Sequence, residues 1–183
     1  YSLEYIDAYC RFNDKYDIPL GYAYNGMNTD DGHYLRQTLD TIIDNNKILH
    51  PKSKENQISE NPLNNNAIVC MVKYKNRRIL FTGDIEKVAE NEMVKEYTNG
   101  LKADILKVGH HGSKTSTTKE FLDLINPSVA LIGVGQNNKF GHPNEDVIKR
   151  LEEKNIQIYR TDEMGEISVI IDKNGKIKIN THI

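Results

Sequence analysis

Two histidines stand side by side at His110 and His111, bracketed by Gly109 and Gly112, where the apolar run Ile105, Leu106 and Val108 stops. A second apolar run, Ile79-Leu80-Phe81, stops in the same way at Asp84, with Thr82 and Gly83 between. A third strand-loop unit carries His142 within Phe140-Gly141-His142-Pro143. One carboxylate with two or three imidazoles is a donor set suited to zinc, iron or manganese. A ligating imidazole needs a partner on its other nitrogen to fix its tautomer. If one of the paired histidines binds metal, its neighbour is free to point elsewhere, as an orienting group or as an acid or base. The competing reading is two solvated loop histidines.

Taken singly, these residues have ordinary explanations. Asp84 precedes a helical pattern, and on the Thr82-Gly83-Asp84 triplet alone a helix cap is the favoured role. Ser113, Thr115, Ser116 and Thr117 offer hydroxyls that either hold a phosphate or cap the next helix. Lys107 and Lys114 supply positive charge for an anionic substrate, or simply line a solvated face. The acids of Asp30-Asp31-Gly32-His33 read as helix-capping residues rather than metal ligands. His33, His50 and His182 have no context that assigns them a role.

Chemistry needs these side chains at one place, so the elements between them matter. Residues 2–16 read as a helix with Leu3, Ile6, Tyr9 and Cys10 on one face, and about 31–45 as another. The polar, Asn-rich stretch 46–66 reads as a long connection. From residue 67 the pattern is β-β-α-β-α-β-α-β-β-β. A hairpin turns at Lys75-Asn76, and helices run from Asp84 to about Tyr97, from a Thr117–Glu120 capping box to about Asn126, and from Asn144 through about Lys154. Val129–Val134 is apolar throughout, as in a strand covered on both faces. A last hairpin closes at Asp172-Lys173-Asn174-Gly175. Strands alternating with helices imply a layered α/β fold, in which neighbouring strand ends bring Asp84, His110, His111 and His142 to one rim.

Composition permits this and narrows the partners. The 183 residues are enough for one domain with a substantial core. The net charge of −2 gives no global attraction to nucleic acid or to an anionic membrane. No run of about 20 apolar residues is present, so no membrane contact is expected from this segment. Cys10 and Cys70 form no metal or redox motif and are expected as two buried reduced thiols, with a disulfide between them the alternative.

Four motifs in this order resemble the metallo-β-lactamase superfamily: Thr82-Gly83-Asp84, Leu106 through Ser116 (Leu-Lys-Val-Gly-His-His-Gly-Ser-Lys-Thr-Ser), Asn137 through Pro143, and Tyr159-Arg160-Thr161-Asp162. The likeness is nearest to the branch that includes the C-terminal domain of competence DNA-uptake channel proteins. It covers residues 64–172, includes Asn64–Asn66, and is weak over 1–60. The resemblance implies an αββα sandwich with a di-metal hydrolytic site, of zinc or manganese, at the sheet edges. It implies Asp84 as bridging carboxylate, His110 as metal ligand with His111 as alternate or neighbour, and His142 as ligand, orienting group or substrate contact. Asp84, His111 and His142 are then the catalytic set, and Ser113 and Lys114 the substrate contacts. The implied reaction is metal-assisted attack of water on a phosphodiester or another anionic ester, with DNA one such substrate.

The family's main metal motif, His-x-His-x-Asp-His or His-x-Asp-x-Asp-His, is expected ahead of residue 2 and is absent from these 183 residues. The sequence is therefore expected to be the C-terminal portion of a single metallo-β-lactamase-like domain, too poor in ligands to hold catalytic metal tightly alone. A second copy or the missing N-terminal half is expected to cover an exposed part of the sheet. The alternative is a non-catalytic binding or assembly module that retains the fold with an incomplete metal site.

Overall fold

The computed structural model describes residues 47–51, 57–98 and 100–182. The helices expected over 2–16 and 31–45, with Cys10, Asp30, Asp31 and His33, lie outside those residues. In chain order the described elements are β1 (Lys47–His50), α1 (Pro62–Asn65), β2 (Val69–Tyr74), β3 (Arg77–Phe81), α2 (Lys87–Glu96), β4 (Ile105–Lys107), α3 (Lys119–Ile125), β5 (Val129–Ile132), α4 (Glu145–Glu153), β6 (Gln157–Arg160), α5 (Thr161–Met164), β7 (Glu166–Ile171) and β8 (Ile177–His182).

Strands β1 to β6 lie side by side in chain order in one sheet, and β7 and β8 form a second. The β1–β2 and β2–β3 joints are antiparallel, while β3–β4, β4–β5 and β5–β6 are parallel. Parallel neighbours need a crossover that returns the chain to the starting edge, and α2, α3 and α4 supply the three. The carboxyl ends of β3, β4, β5 and β6 therefore share one rim.

Successive residues of each central strand serve different layers, as the period of two requires. Leu80, Leu106, Ala130 and Ile132 join Met93 of α2, Phe121 of α3 and Leu151 of α4 in one buried cluster. Their neighbours Ile79, Ile105 and Val129 join a second cluster, against Val169, Ile171, Ile177 and Ile179 of the small sheet. Helices thus cover one face of the six-stranded sheet and β7–β8 the other. This mixed α/β layering is the one expected of the metallo-β-lactamase fold. Cover on both faces, helices over Ala130 and Ile132 and the small sheet over Val129, explains the unbroken apolar run of β5.

Several expectations change in detail. The 46–66 connection contains β1, which pairs with β2 through Ile48 opposite Cys70, and the single turn α1. The helix expected to open at Asp84 opens at Lys87, so Asp84 is not its cap. The cap of α3 is Thr118, whose hydroxyl accepts from Phe121 N–H, because Thr117 is left-handed at φ 56° and cannot take the extended cap geometry. The strand expected over 129–134 ends at Ile132, and the single turn α5 separates β6 from β7. Cys70 is half-buried rather than fully buried. Asn144 does cap α4, accepting from Asp146 N–H at 3.0 Å. The final turn also forms as expected, with Asp172 Oδ1 accepting from Asn174 and Lys176 N–H. Among the described residues no helix is long and apolar enough to cross a membrane.

Candidate active site at the carboxyl ends of the parallel strands

Asp84 is set by the turn that leaves β3. Gly83 adopts φ 53°, and a Cβ there would stand 3.0 Å from the Ala67 Cβ. The Gly83 carbonyl accepts from His110 N–H at 3.1 Å, and Thr82 Oγ1 donates to the Lys107 carbonyl at 2.7 Å. These bonds lock the ends of β3 and β4 together. Asp84 is buried behind them.

The paired histidines follow β4 in an unusual conformation. His110 (φ 46°, ψ 46°) and His111 (φ 54°, ψ 22°) are consecutive left-handed residues. Each costs on the order of 1–3 kcal/mol and persists only where the surroundings over-determine it. The result is that the two rings diverge. His111 Nδ1 lies 2.6 Å from the Gly133 carbonyl oxygen. A carbonyl only accepts, so Nδ1 carries the proton there and the Nε2 lone pair is left open. That Nε2 stands 3.7 Å from Asp84 Oδ1. His110 turns toward Glu86 instead. Its Nδ1 is 3.2 Å from Glu86 Oε1, within ion-pair reach but not aligned for a hydrogen bond. The His142 ring centroid is 5.6 Å from that of His110, and Phe140 stacks on His142 at 5.9 Å and 21°.

The surroundings that hold this loop come from two helices and from the loop itself. Glu90 of α2, fully buried, accepts from Thr117 N–H at 2.5 Å and Thr118 N–H at 2.8 Å. Arg150 of α4 donates to the Thr117 carbonyl at 2.5 Å and the Ser116 carbonyl at 3.3 Å. Ser116 Oγ donates to the Gly109 and Ser113 carbonyls. Asn144 N–H donates to the Gly112 carbonyl at 2.8 Å, and Gly112 (φ 81°) passes so close to Pro143 that a Cβ would lie 2.6 Å away. Only glycine fits that contact. At the next strand end, Thr161 Oγ1 accepts from Val134 N–H at 2.7 Å and donates to the Val134 carbonyl at 2.8 Å, pinning the segment that presents Gly133.

Titratable groups at the rim are shifted in ways that follow from this packing. Burial lowers Lys107 to about 8, against the opposing pull of the Asp84 carboxylate, while Nζ donates to the Val108 carbonyl at 3.0 Å. His142 is held below the usual imidazole range, first by burial and then by His110 and His111, with Asp84 acting the other way. Burial raises Glu86, but donors from Asn61, Thr115 and Asn64, with the nearby His110, more than offset it and leave the carboxyl below its ordinary value.

The structure thus brings Asp84, His110, His111 and His142 to one rim. It separates the two adjacent imidazoles, placing His111 against Asp84 and His110 against Glu86. Ser113 is buried with its hydroxyl 3.0 Å from that of Thr115, and Lys114 is exposed on the same loop. Sequence reasoning did not single out Glu86, Glu90 or the Gly133 carbonyl, and it marked Asn65 only as part of the Asn64–Asn66 stretch. Glu90 and Gly133 act on residues 27 and 22 positions away, and no local pattern announces them.

Two donors on a tetrahedral ion at about 2.0–2.1 Å stand roughly 3.3 Å apart. Asp84 Oδ1 and His111 Nε2 are near that separation, and the Nδ1 bond of His111 leaves its Nε2 able to ligate. These two side chains fit two positions of a metal site. They do not complete one, because no group of three or more His, Cys, Asp or Glu among the described residues is arranged to hold a metal ion.

The layered fold is consistent with that of the metallo-beta-lactamase superfamily, whose family description matches residues 61–135 of this chain. Among curated proteins the chain is similar to ComE operon protein 3 of Bacillus subtilis, 41% identical over 104 residues, which are 57% of this chain and 13% of that protein. It is similar to competence protein ComA of Neisseria gonorrhoeae, 31% identical over 129 residues, 70% of this chain and 18% of that protein. Recombination protein 2 of Haemophilus influenzae is 38% identical over 106 residues, 58% of this chain and 13% of that protein. The chain therefore spans less than a fifth of the length of these relatives.

Proposed function

We propose that this chain forms the C-terminal side of a metal-dependent hydrolase domain acting on phosphodiesters or related anionic esters. One relationship carries the reading: a buried carboxylate and a tautomer-fixed imidazole, 3.7 Å apart, at the rim of a parallel sheet. Asp84 and His111 hold two positions of the metal site, and the remaining donors come from residues amino-terminal to those described. The metal, zinc or manganese, supplies charge stabilisation to the phosphoryl group when bound. The chain's own residues do the rest. His110 and Glu86 form an acid–base pair beside the donors, and His142 faces the substrate. Lys107 sets a positive charge under Asp84 that favours an anionic ligand. Relatives named for competence and recombination support a nucleic acid as the phosphodiester and a role of the whole protein in DNA uptake.

A second reading is a non-catalytic binding or assembly module, which the relative named as a competence protein fits at least as well. Assay of the full-length protein separates the two. Phosphodiesterase activity that requires added zinc or manganese, and falls at least about 100-fold in Asp84→Ala, is the expected result. Activity unchanged by that substitution removes Asp84 from the mechanism. Absence of any hydrolysis with metal supplied favours the binding module.

A further inference from the structure

We propose that Phe140 is a stacking platform for a nucleobase, and that the rim therefore takes single-stranded nucleic acid. This deepens the phosphodiester reading above and rests on it for the location of the phosphate.

Phe140 is 81% exposed, which is rare for a side chain of this size. An isolated apolar residue on a loose loop needs no explanation, but this loop is braced. Asn138 Oδ1 accepts from Phe140 N–H at 3.2 Å and His142 N–H at 3.0 Å, while its Nδ2 donates to the His142 carbonyl at 2.6 Å and the Gly135 carbonyl at 3.2 Å. One side chain thus fixes the whole tip. The Phe140 ring is stacked on His142, whose centroid lies 5.6 Å from that of His110. A row of rings runs from the donor rim out to solvent.

The neighbours of Phe140 decide what it fits. Its chain neighbours Asn137, Lys139 and Gly141 are exposed and carry no apolar side chain, and the other exposed large hydrophobics among the described residues are Leu63 and Ile170. A protein partner would need a larger apolar core around such an anchor. A single flat ring beside ammonium groups suits a base and its phosphates. Lys139 stands next to Phe140, and Lys114 is exposed on the histidine loop, which meets the Phe140 loop at the Gly112–Asn144 bond. With a net charge of −2, this local pair serves a short strand rather than a long basic tract.

The chain contains no tryptophan, so Phe140→Trp is a single reporter. Its fluorescence is titrated with a ten-nucleotide thymidine strand and with an abasic strand of equal length. The expected result is quenching by the thymidine strand only, and an affinity at least about 5-fold higher than for the abasic strand. Phe140→Ala, with an unchanged circular dichroism spectrum, is expected to bind both strands alike. Equal binding of the two strands by the wild-type chain, a preference that survives in Phe140→Ala, or no binding of the thymidine strand overturns the proposal. Hydrolysis is read separately: an Asp84→Ala full-length protein that keeps its base preference but loses turnover supports both readings. One that keeps turnover overturns the hydrolase role of Asp84 and leaves stacking intact.

Discussion

His111 donates from Nδ1 to the carbonyl oxygen of Gly133 at 2.6 Å, and this bond between the ends of β4 and β5 settles which nitrogen faces Asp84. The Gly133 carbonyl is itself held in place by Thr161, through the adjacent Val134. Orientation of the imidazole is thus set two contacts away from the donor atom. Thr161→Val keeps the shape and removes both hydroxyl bonds. It is expected to cost about 1–3 kcal/mol, because Val134 N–H is left without its acceptor. Metal affinity of the full-length protein should fall about 10- to 100-fold. Thr161→Ser, which retains the hydroxyl, should recover most of both. Chemical unfolding and metal titration of the two variants check this.

Asn65 is fully buried and joins segments far apart in sequence. Its Oδ1 accepts from Glu86 N–H at 3.0 Å and from Ala89 N–H at 3.4 Å, its Nδ2 donates to the Glu60 carbonyl, and its own carbonyl accepts from His50. Glu86, the cap residue of α2, makes no side-chain cap bond, so Asn65 does that work from the end of α1. Asn65→Ala should destabilise by about 1–3 kcal/mol. An unfolding midpoint equal to wild type would contradict this role.

The left-handed backbone at His110 makes a sharper comparison. Alanine there keeps the unfavourable φ, whereas glycine relieves it. His110→Gly should therefore be more stable than His110→Ala by about 1 kcal/mol, although glycine ordinarily weakens a fold. Equal stability, or the reverse order, would show that the conformation is not strained.

The pH dependence follows from His50. Burial lowers it from its ordinary value, while its bond to the Asn65 carbonyl and the charges of Glu92 and Glu96 pull the other way. The folded chain therefore resists protonating this imidazole more than the unfolded chain does. Stability from it is present above the unfolded value of about 6.5 and is lost as pH falls through the lower folded value. Urea unfolding from pH 8 to pH 5 should show this decline, and His50→Gln should reduce its slope. A slope unchanged in that variant assigns the loss elsewhere.

Much of the fold was legible because its signals are local. The Lys75-Asn76 turn, the Asn144 cap and the Asp172–Gly175 turn each lie within a few residues of what they shape. The four-residue strand β1 was not legible, since the polar 46–66 stretch hides it and pairing with β2 defines it. The start of α2 was misplaced because its cap arrives from Asn65, 21 residues upstream. At the site, residue types marked Asp84, His142 and the histidine pair. The divergence of the His110 and His111 rings was not legible, since it depends on two left-handed residues in a loop whose far end is held by Glu90 and Arg150 at Ser116–Thr118. Those restraints come from helices folded against the loop, beyond the reach of spacing.

The most direct test is a double-mutant cycle on metal affinity in the full-length protein, using Asp84→Ala, His111→Ala and the pair. If the two side chains share one ion, each single substitution abolishes tight binding and the double variant is no worse than either. Wild-type metal affinity in either single variant, with the fold intact, would contradict the shared site.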